Sequence, residues 1–351
     1  MSANTPNARA GVIAERMVRI LAWCCFAELL ATWFAIAVLG DRVWWTVMLL
    51  FGPRWVLSLP WFGMAPWLLA DLRRALLPAI GGAAIVLFGL LDFHLGLHRA
   101  SLSSGVPLRV LELNAAGGAA AIQDRIFAEV RDQRADLVVI VECGPGLSQA
   151  IKSLTEYQTR SSDFPGLCLL SRGAILSWEQ RGQHDVWVQG GAGYIVRAVV
   201  STAAGPIRLG LVHVATPRHA LDSYFSLHQI PNQGPQTWVN INQRDEESGF
   251  ARQWIMQGEA LPTIIAGDLN LTTESAIYRR YWGDFRNAFG RAGWGTGYTK
   301  HTRRWGVRID HVLTSDDIGT HSAMIGRDVG SDHLPLIADL VLPNHRTSTA
   351  R

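Results

Sequence analysis

Eight polar residues stand at or just past the ends of apolar runs, and their types suit one kind of chemistry. Asn114 closes VPLRVLEL, Glu142 follows LVVIV, and His213 interrupts LVHV. Asp268 and Asn270 sit in GDLN, Asp310 in RIDHVL, and Asp332 and His333 in GSDHLP. Hydrolysing a phosphate ester requires neutralising charge on the transferred phosphoryl group, making a nucleophile from water, and holding that water in line with the leaving oxygen. Carboxylate and amide oxygens suit a hard, partly hydrated ion such as Mg²⁺, with Mn²⁺ as the alternative. Carboxylates and imidazoles also move protons near neutral pH.

The elements that must position these groups can be read from periodicity. Val106 to Leu113 is strand-like and breaks at Asn114 and the Gly117-Gly118 pair. Ile122 to Gln133 has helical spacing and leads into the buried-strand run Leu137 to Val141. Further strands are expected over Leu167 to Leu170, Tyr194 to Val200, Ile207 to Val214, Thr263 to Ala266, Arg308 to Leu313 and Leu336 to Val341. A helix is expected over Ser248 to Gln257, after a long connection from His219 to Asn240. Strands and helices in mixed order over this length suit one α/β domain.

In their order along the chain, LELN, VEC, LVHVATP, GDLN, RIDHVL and GSDHLP resemble the successive motifs of the endonuclease/exonuclease/phosphatase superfamily, from Val106 to about Leu342. Alone, each motif is weak, since GDLN also suits a turn and SDH a helix cap; the joint signal lies in their order. The resemblance implies an α/β fold, a four-layer sandwich of two packed mixed β-sheets flanked by helices, and an enzyme hydrolysing phosphoester bonds.

Residue by residue, the resemblance implies that Asp268 orients or deprotonates the attacking water, while Asn270 holds the phosphate or the water. His333 contacts the scissile phosphate, with Asp310 orienting its imidazole. Asp332 approaches the metal instead, or these two carboxylates exchange roles. Glu142 is the principal metal ligand, and Asn114 supports the metal or touches a phosphate oxygen. His213 hydrogen-bonds phosphate or leaving group, against the alternative of a satisfied core histidine between Val212 and Val214. Arg218, Arg244 and Arg308 are candidates for further phosphate contacts through their planar forks, although each alone reads more readily as a surface or salt-bridged arginine.

Ahead of this domain the chain is of another kind. Hydrophobic residues make up 48% of the sequence and mean hydropathy is +0.12, high for a soluble enzyme. The excess lies between Ile20 and Leu97. Ile20 to Gly40 and Ala75 to Leu97 are each of spanning length, and Val43 to Ala70 is a kinked span or two shorter pieces, carrying Pro53, Arg54, Pro60 and Pro66. A cleaved signal peptide is disfavoured, because more apolar stretches follow the first. The expected layout is a cytoplasmic N-terminus over 1–19, about three transmembrane helices over 20–97, a linker over 98–105, the catalytic domain over 106–342 and a frayed tail over 343–351. Arg9, Arg16, Arg19, Arg73 and Arg74 place the N-terminus inside by the positive-inside rule, and three crossings then leave the domain extracytoplasmic, in a bacterial-type plasma membrane. A re-entrant middle segment would reverse that parity.

Only 7 of the 32 basic and 5 of the 29 acidic residues precede His98, so the rest of the chain is close to neutral. That weakens a nucleic-acid substrate, whose binding draws on a basic excess. The four cysteines have no zinc-ligand spacing. Cys24 and Cys25 lie in an apolar run. Cys143 and Cys168 either form a disulfide, given a domain outside the cytoplasm, or are two separate buried thiols.

The superfold hosts nucleases, lipid phosphodiesterases and phosphomonoesterases, so the reaction class does not fix the substrate. A short tether keeps the domain near a bilayer, where a lipid-linked phosphate or pyrophosphate such as that of a polyprenyl carrier is concentrated. Membrane-anchored members with this layout resemble polyprenyl-pyrophosphate phosphatases, and that substrate class leads. The alternatives are a membrane-anchored nuclease, a sphingomyelinase-like lipid phosphodiesterase, and a silent domain binding phospholipid or a partner.

Overall fold

The computed structural model describes residues 6–70, 72–163, 166–182, 193–218, 221, 233–302 and 305–344. The expected tail beyond Asn344, the first five residues and most of the 219–232 connection lie outside the described residues. The chain divides into two compact units, Met1–Phe93 and His94–Arg351.

The first unit is helical. Pro6–Phe34 continues through a wider turn at Ala35–Leu39, and the stretch Glu15–Arg42 is long and apolar enough to cross a membrane, with mean hydropathy 1.9 over its best window. Helices Trp44–Phe51 and Arg54–Leu69 meet at a 92° bend. Gly52 and Pro53 cannot continue the first of them, and the Arg54 side chain turns back to donate from Nε to the Leu49 carbonyl and from Nη2 to that of Leu50, both at 2.9 Å. The last apolar helix, Ala75–Leu90, has fewer than 18 residues.

These bounds correct the expectation of three spans. One described helix qualifies, or two if the bent pair is a single crossing, and the parity argument for the domain's side loses its footing. Trp23, Trp33, Trp45, Phe62 and Trp67 are exposed on this unit, while Ala22, Cys25, Met64, Leu68 and Ala75 pack inside it. Large apolar side chains left outward in such number suit a lipid environment better than water. The expected continuation of the last span to Leu97 also fails. After Leu90 the chain leaves the helix and His94–Leu95 pairs antiparallel with Trp294–Gly295, while the expected linker is tied into the second unit by the His98 N–H, which donates to the Arg291 carbonyl at 3.0 Å, and the Ala100 N–H, which donates to that of Thr320 at 2.7 Å.

Among the described residues, two six-stranded sheets carry the second unit. Their strands are β1 Val106–Asn114, β2 Leu137–Cys143, β3 Gln158–Ser161, β4 Gly166–Ser171, β5 Ile175–Arg181, β6 Tyr194–Thr202, β7 Gly205–His213, β8 Thr263–Asp268, β9 Arg286–Asn287, β10 Asp310–Thr314, β11 Gly319–Ile325 and β12 Leu336–Leu342. One sheet has the order β11-β12-β1-β2-β4-β3, the other β9-β10-β8-β7-β6-β5. Each contains one parallel pair, β1 with β2 and β7 with β8, so both are mixed.

Alternation along the strands explains the layers. In β1, Val110 faces the core between the sheets, with Val139, Leu209, Ile264 and Val312. Leu111 and Leu113 face the other way, onto Ile126 and Val130 of the helix Ala120–Gln133. Across the sandwich, Ile255 at the end of helix Gln233–Ile255 fits against Gly210 of β7, where a Cβ would lie 2.8 Å from it. The expected four-layer α/β sandwich is therefore present. The Gln233–Ile255 helix begins well before the Ser248 expected from periodicity, so the end of the supposed His219 to Asn240 loop is helical.

Cys143 and Cys168 are joined in a disulfide, which decides between the two readings of these cysteines. The bridge ties β2, just after Glu142, to β4. It closes 25 residues, and loop-closure entropy of that size stabilises by about 3 kcal/mol. Cys168→Ala, or full reduction, is expected to lower the melting temperature of this unit by about 6 to 12 °C by scanning calorimetry. A drop under about 2 °C would mean the bridge holds nothing that packing does not.

Candidate active site

Neighbouring strands bring three of the eight residues level. Asp268 ends β8, with Asp310 opposite it on antiparallel β10 and His213 opposite it on parallel β7. Close approach at this end depends on Gly267, whose φ is +148° and where a Cβ would come within 2.0 Å of the Val212 carbonyl oxygen. Asn114 ends β1 in the other sheet, and Glu142 stands beside it near the end of parallel β2 at φ +51°. That left-handed backbone coincides with the irregularity between Ile140 and Cys143 in the β2–β4 pairing.

Asn114 bridges the two sheets. Its Nδ2 donates to Glu142 Oε1 at 3.1 Å and to Asp268 Oδ2 at 3.0 Å, while its Oδ1 accepts from the Ala116 N–H. The Ala116 donor fixes the orientation of the amide. Asn114 therefore braces two carboxylates, with its oxygen engaged by the backbone.

Asp268 is 2% exposed, and its other oxygen accepts from the Asn270 N–H at 2.9 Å. Burial, then the nearby Asp310 charge, push its pKa up to about 7, against the pull of His333. Asn270 sits in a left-handed turn at φ +48°, and its Nδ2 donates to the Val214 carbonyl.

His333 lies in the loop before β12, 3% exposed. Its Nδ1 bonds Asp310 Oδ2 at 2.8 Å, while Nε2 is 3.9 Å from Asp268 Oδ2. Burial alone would disfavour the imidazolium, but Asp310, by charge and hydrogen bond, outweighs it and raises the pKa to about 9. The same pairing holds Asp310 below its ordinary value despite complete burial. Asp268, Asp310 and His333 each offer an atom within 4.8 Å of the others. His213 stacks on Tyr194 at 5.5 Å, with Nε2 3.7 Å from Glu142 Oε1; burial lowers its pKa, so it is held neutral.

The remaining candidates separate. Asp332 is half-exposed and its Oδ2 is engaged by Lys300, with Arg218 3.7 Å away. Arg244, on helix Gln233–Ile255, is fully buried and donates to Asn240 one turn earlier and to the Asn270 carbonyl, so it supports the Asn270 turn. Arg308 is also buried, bonded to Asn287 and His94 and packed over Phe289, which makes it part of the wall.

Sequence reasoning passed over Lys300 and Glu112. Nothing around YTKHT marks the lysine. Glu112 did carry a signal, a carboxylate at an inward register position between Val110 and Asn114. It is fully buried, with neither carboxyl oxygen hydrogen-bonded. Burial, then Asp310 and Asp268, hold its pKa well above the ordinary 4.5, so the folded protein keeps this proton where the unfolded chain releases it. Stability then falls as pH rises above about 4.5, by up to about 1.4 kcal/mol per unit from this group. Glu112→Gln is expected to flatten the loss of stability between pH 5 and 8, measured by urea unfolding; parallel curves for the two proteins would refute it.

The family description Endonuclease/Exonuclease/phosphatase family matches residues 111–333. The chain belongs to this family. Its members hydrolyse phosphoester bonds, as nucleases and phosphatases, and depend on divalent metal. No curated protein matches this family member by sequence. Among solved structures, humanized D. rerio TDP2 is similar with TM-score 0.51 at 15% identity, covering 67% of this chain and 98% of that one. D. rerio TDP2 complexed with a single-strand DNA product gives 0.51 at 14%, covering 67% and 99%. Caenorhabditis elegans TDP2 gives 0.51 at 15%, covering 77% and 85%. These likenesses bear on the fold.

Proposed function

We propose that this family member hydrolyses a phosphate or diphosphate ester on a membrane lipid, with its catalytic unit on the extracytoplasmic side. The hydrolytic part rests chiefly on the placement of Asp268 and His333, a carboxylate and an imidazolium facing each other across 3.9 Å. Asp268 takes the proton of the attacking water, held in place by Asn114 and the Asn270 N–H. His333, charged and oriented by Asp310, donates from Nε2 to an oxygen of the phosphoryl group as negative charge gathers there. Asn270 keeps the loop beside Asp268 in register through Val214, and neutral His213 donates to the leaving oxygen.

The donors at the mouth are carboxylate oxygens with no thiolate among them, and Glu142 is 40% exposed beside the Asn114 brace, so the residues present fit a hard divalent ion such as Mg²⁺ or Mn²⁺. Glu142 would hold it. Such an ion, when bound, neutralises charge on the phosphoryl group.

The lipid assignment rests on the apolar helical unit that precedes the catalytic one in the chain, and the extracytoplasmic side on the Cys143–Cys168 bridge. The D. rerio TDP2 complex with single-strand DNA product supports a nuclease as second reading, against which stands the near-neutral charge after His98. The full chain in detergent with Mg²⁺, assayed on an isoprenyl diphosphate, plasmid DNA and sphingomyelin, separates these. Phosphate release from the first alone, abolished by EDTA, is the expected result; nicked plasmid would replace lipid with nucleic acid, choline phosphate from sphingomyelin would make it a lipid phosphodiesterase, and no turnover would end the hydrolase reading.

A further inference from the structure

Lys300, Arg218 and the Asp332 carboxylate are left over from the chemistry above. The Leu334 N–H donates to the Thr299 carbonyl at 2.7 Å and the His301 N–H to that of Asp332 at 3.1 Å, laying Lys300–His301 antiparallel to the Asp332–Leu334 stretch. Lys300 is bridged directly to His333. Opposed residues project to the same side, so the ammonium emerges beside the imidazole. It holds Asp332 Oδ2. Arg218, from the loop after β7, brings Nη2 within 3.7 Å of the same oxygen. The other oxygen of Asp332 lies 3.9 Å from His333 Nε2.

One carboxylate therefore spans from the imidazole to two cations supplied by distant parts of the chain. Burial opposes its charge, but Lys300, then His333 and Arg218, hold its pKa below the ordinary value. Half-exposed ion pairs of this sort contribute little to stability, so an incoming anion can displace the carboxylate at small cost. Two converging cations are wasted on one carboxylate and match a phosphoryl group with several oxygens.

We propose that Lys300 and Arg218 seat a second phosphoryl group of the substrate, directly linked to the scissile one, in the place that the Asp332 carboxylate fills. The chemical class is a diphosphate monoester, lipid-linked or nucleoside-linked, and the proposal rests on the hydrolase reading. The span of a single carboxylate fits phosphoryl groups sharing one bridging oxygen and is too short for the sugar–phosphate repeat of a nucleic acid. In the reaction the water oxygen bonds to the terminal phosphorus and its proton passes to Asp268. The bond from that phosphorus to the bridging oxygen breaks, and the electron pair leaves on the phosphomonoester, whose new charge Lys300 and Arg218 balance.

The test uses the full chain in detergent with Mg²⁺ and three probes: farnesyl diphosphate, ADP, and the single phosphodiester bis(p-nitrophenyl) phosphate. Lys300→Gln and Arg218→Gln are each expected to lower kcat/KM for the preferred diphosphate relative to the diester by about tenfold or more, the scale of a charge-assisted contact. Lys300→Arg should restore most of that ratio. Asp332→Asn should move it the other way, lowering KM for the diphosphate as the seat is vacated. Preference for farnesyl diphosphate or for ADP assigns the source of the group. Equal losses on diphosphate and diester overturn the seat, as does Asp332→Asn destroying turnover of every probe. Wild-type activity on the diester with neither diphosphate turned over overturns the seat while leaving the hydrolase reading intact; activity on none overturns both.

Discussion

Asp268→Ala is expected to lower kcat by about 10³ to 10⁴, the range of a positioned general base, with little change in KM. Asp268 receives hydrogen bonds from the Asn270 N–H and the Asn114 amide, so its carboxylate is aimed before substrate arrives. Its pKa of about 7 leaves it a stronger base than an ordinary aspartate, yet half ionised at neutral pH. Alanine is cleaner than asparagine here. An asparagine accepting from Asn270 would turn its NH₂ toward the NH₂ of Asn114, whose oxygen is committed to Ala116, and the donor–donor clash would disturb Glu142 as well. A carboxyl that burial pushes up to about 7 stabilises the fold little, so the melting temperature should move by only a few degrees. A loss of kcat below about tenfold would remove Asp268 from the reaction.

What the sequence discloses about this site depends on where each group sits relative to a strand. Asn114, Glu142 and Asp268 mark strand ends, where an apolar run stops and a polar residue must be explained, whereas Asp310 falls inside the expected Arg308 to Leu313 strand and is drawn in by the motif order. The motif order then implies His333 and His213. At Arg244 and Arg308 the sequence leaves two readings open, because an arginine near a catalytic motif has the same signature whether it reaches a ligand or braces a loop; the partners Asn240 and the Asn270 carbonyl, and Asn287 and His94, favour the brace. Lys300 was invisible because its place beside His333 comes from a one-residue bridge between distant segments. The apolar N-terminal unit shows a related limit. Pro53 marks the bend within the middle apolar segment, but hydropathy sums over a window and cannot see that His94 leaves the last helix to join a sheet.

Asp310→Asn is expected to move the whole pH–rate profile toward acid. In the wild type the base limb rises as Asp268 loses its proton through about pH 7, and activity falls as His333 loses its own through about pH 9, leaving a window between them. Asp310 raises both values, because its negative charge opposes ionisation of Asp268 and favours the imidazolium. An asparagine still accepts the Nδ1–H but supplies no charge. Burial then dominates at His333 and carries it toward or below the ordinary 6.5, while Asp268 loses the neighbour that held its proton. Both limbs should drop by about one pH unit or more, and kcat at pH 8 should fall by roughly 10². Recovery to within about tenfold of wild type near pH 6 separates this electrostatic role from a merely structural one, which would depress the rate at every pH. The stability consequence has the same sign. The raised imidazole contributes stability that is complete below pH 6.5 and lost as pH climbs through about 9, so the variant should differ from wild type most on the acid side of that interval. A rate profile that keeps both limbs in place would show that the charge on Asp310 does not govern the pair facing each other across the cleft.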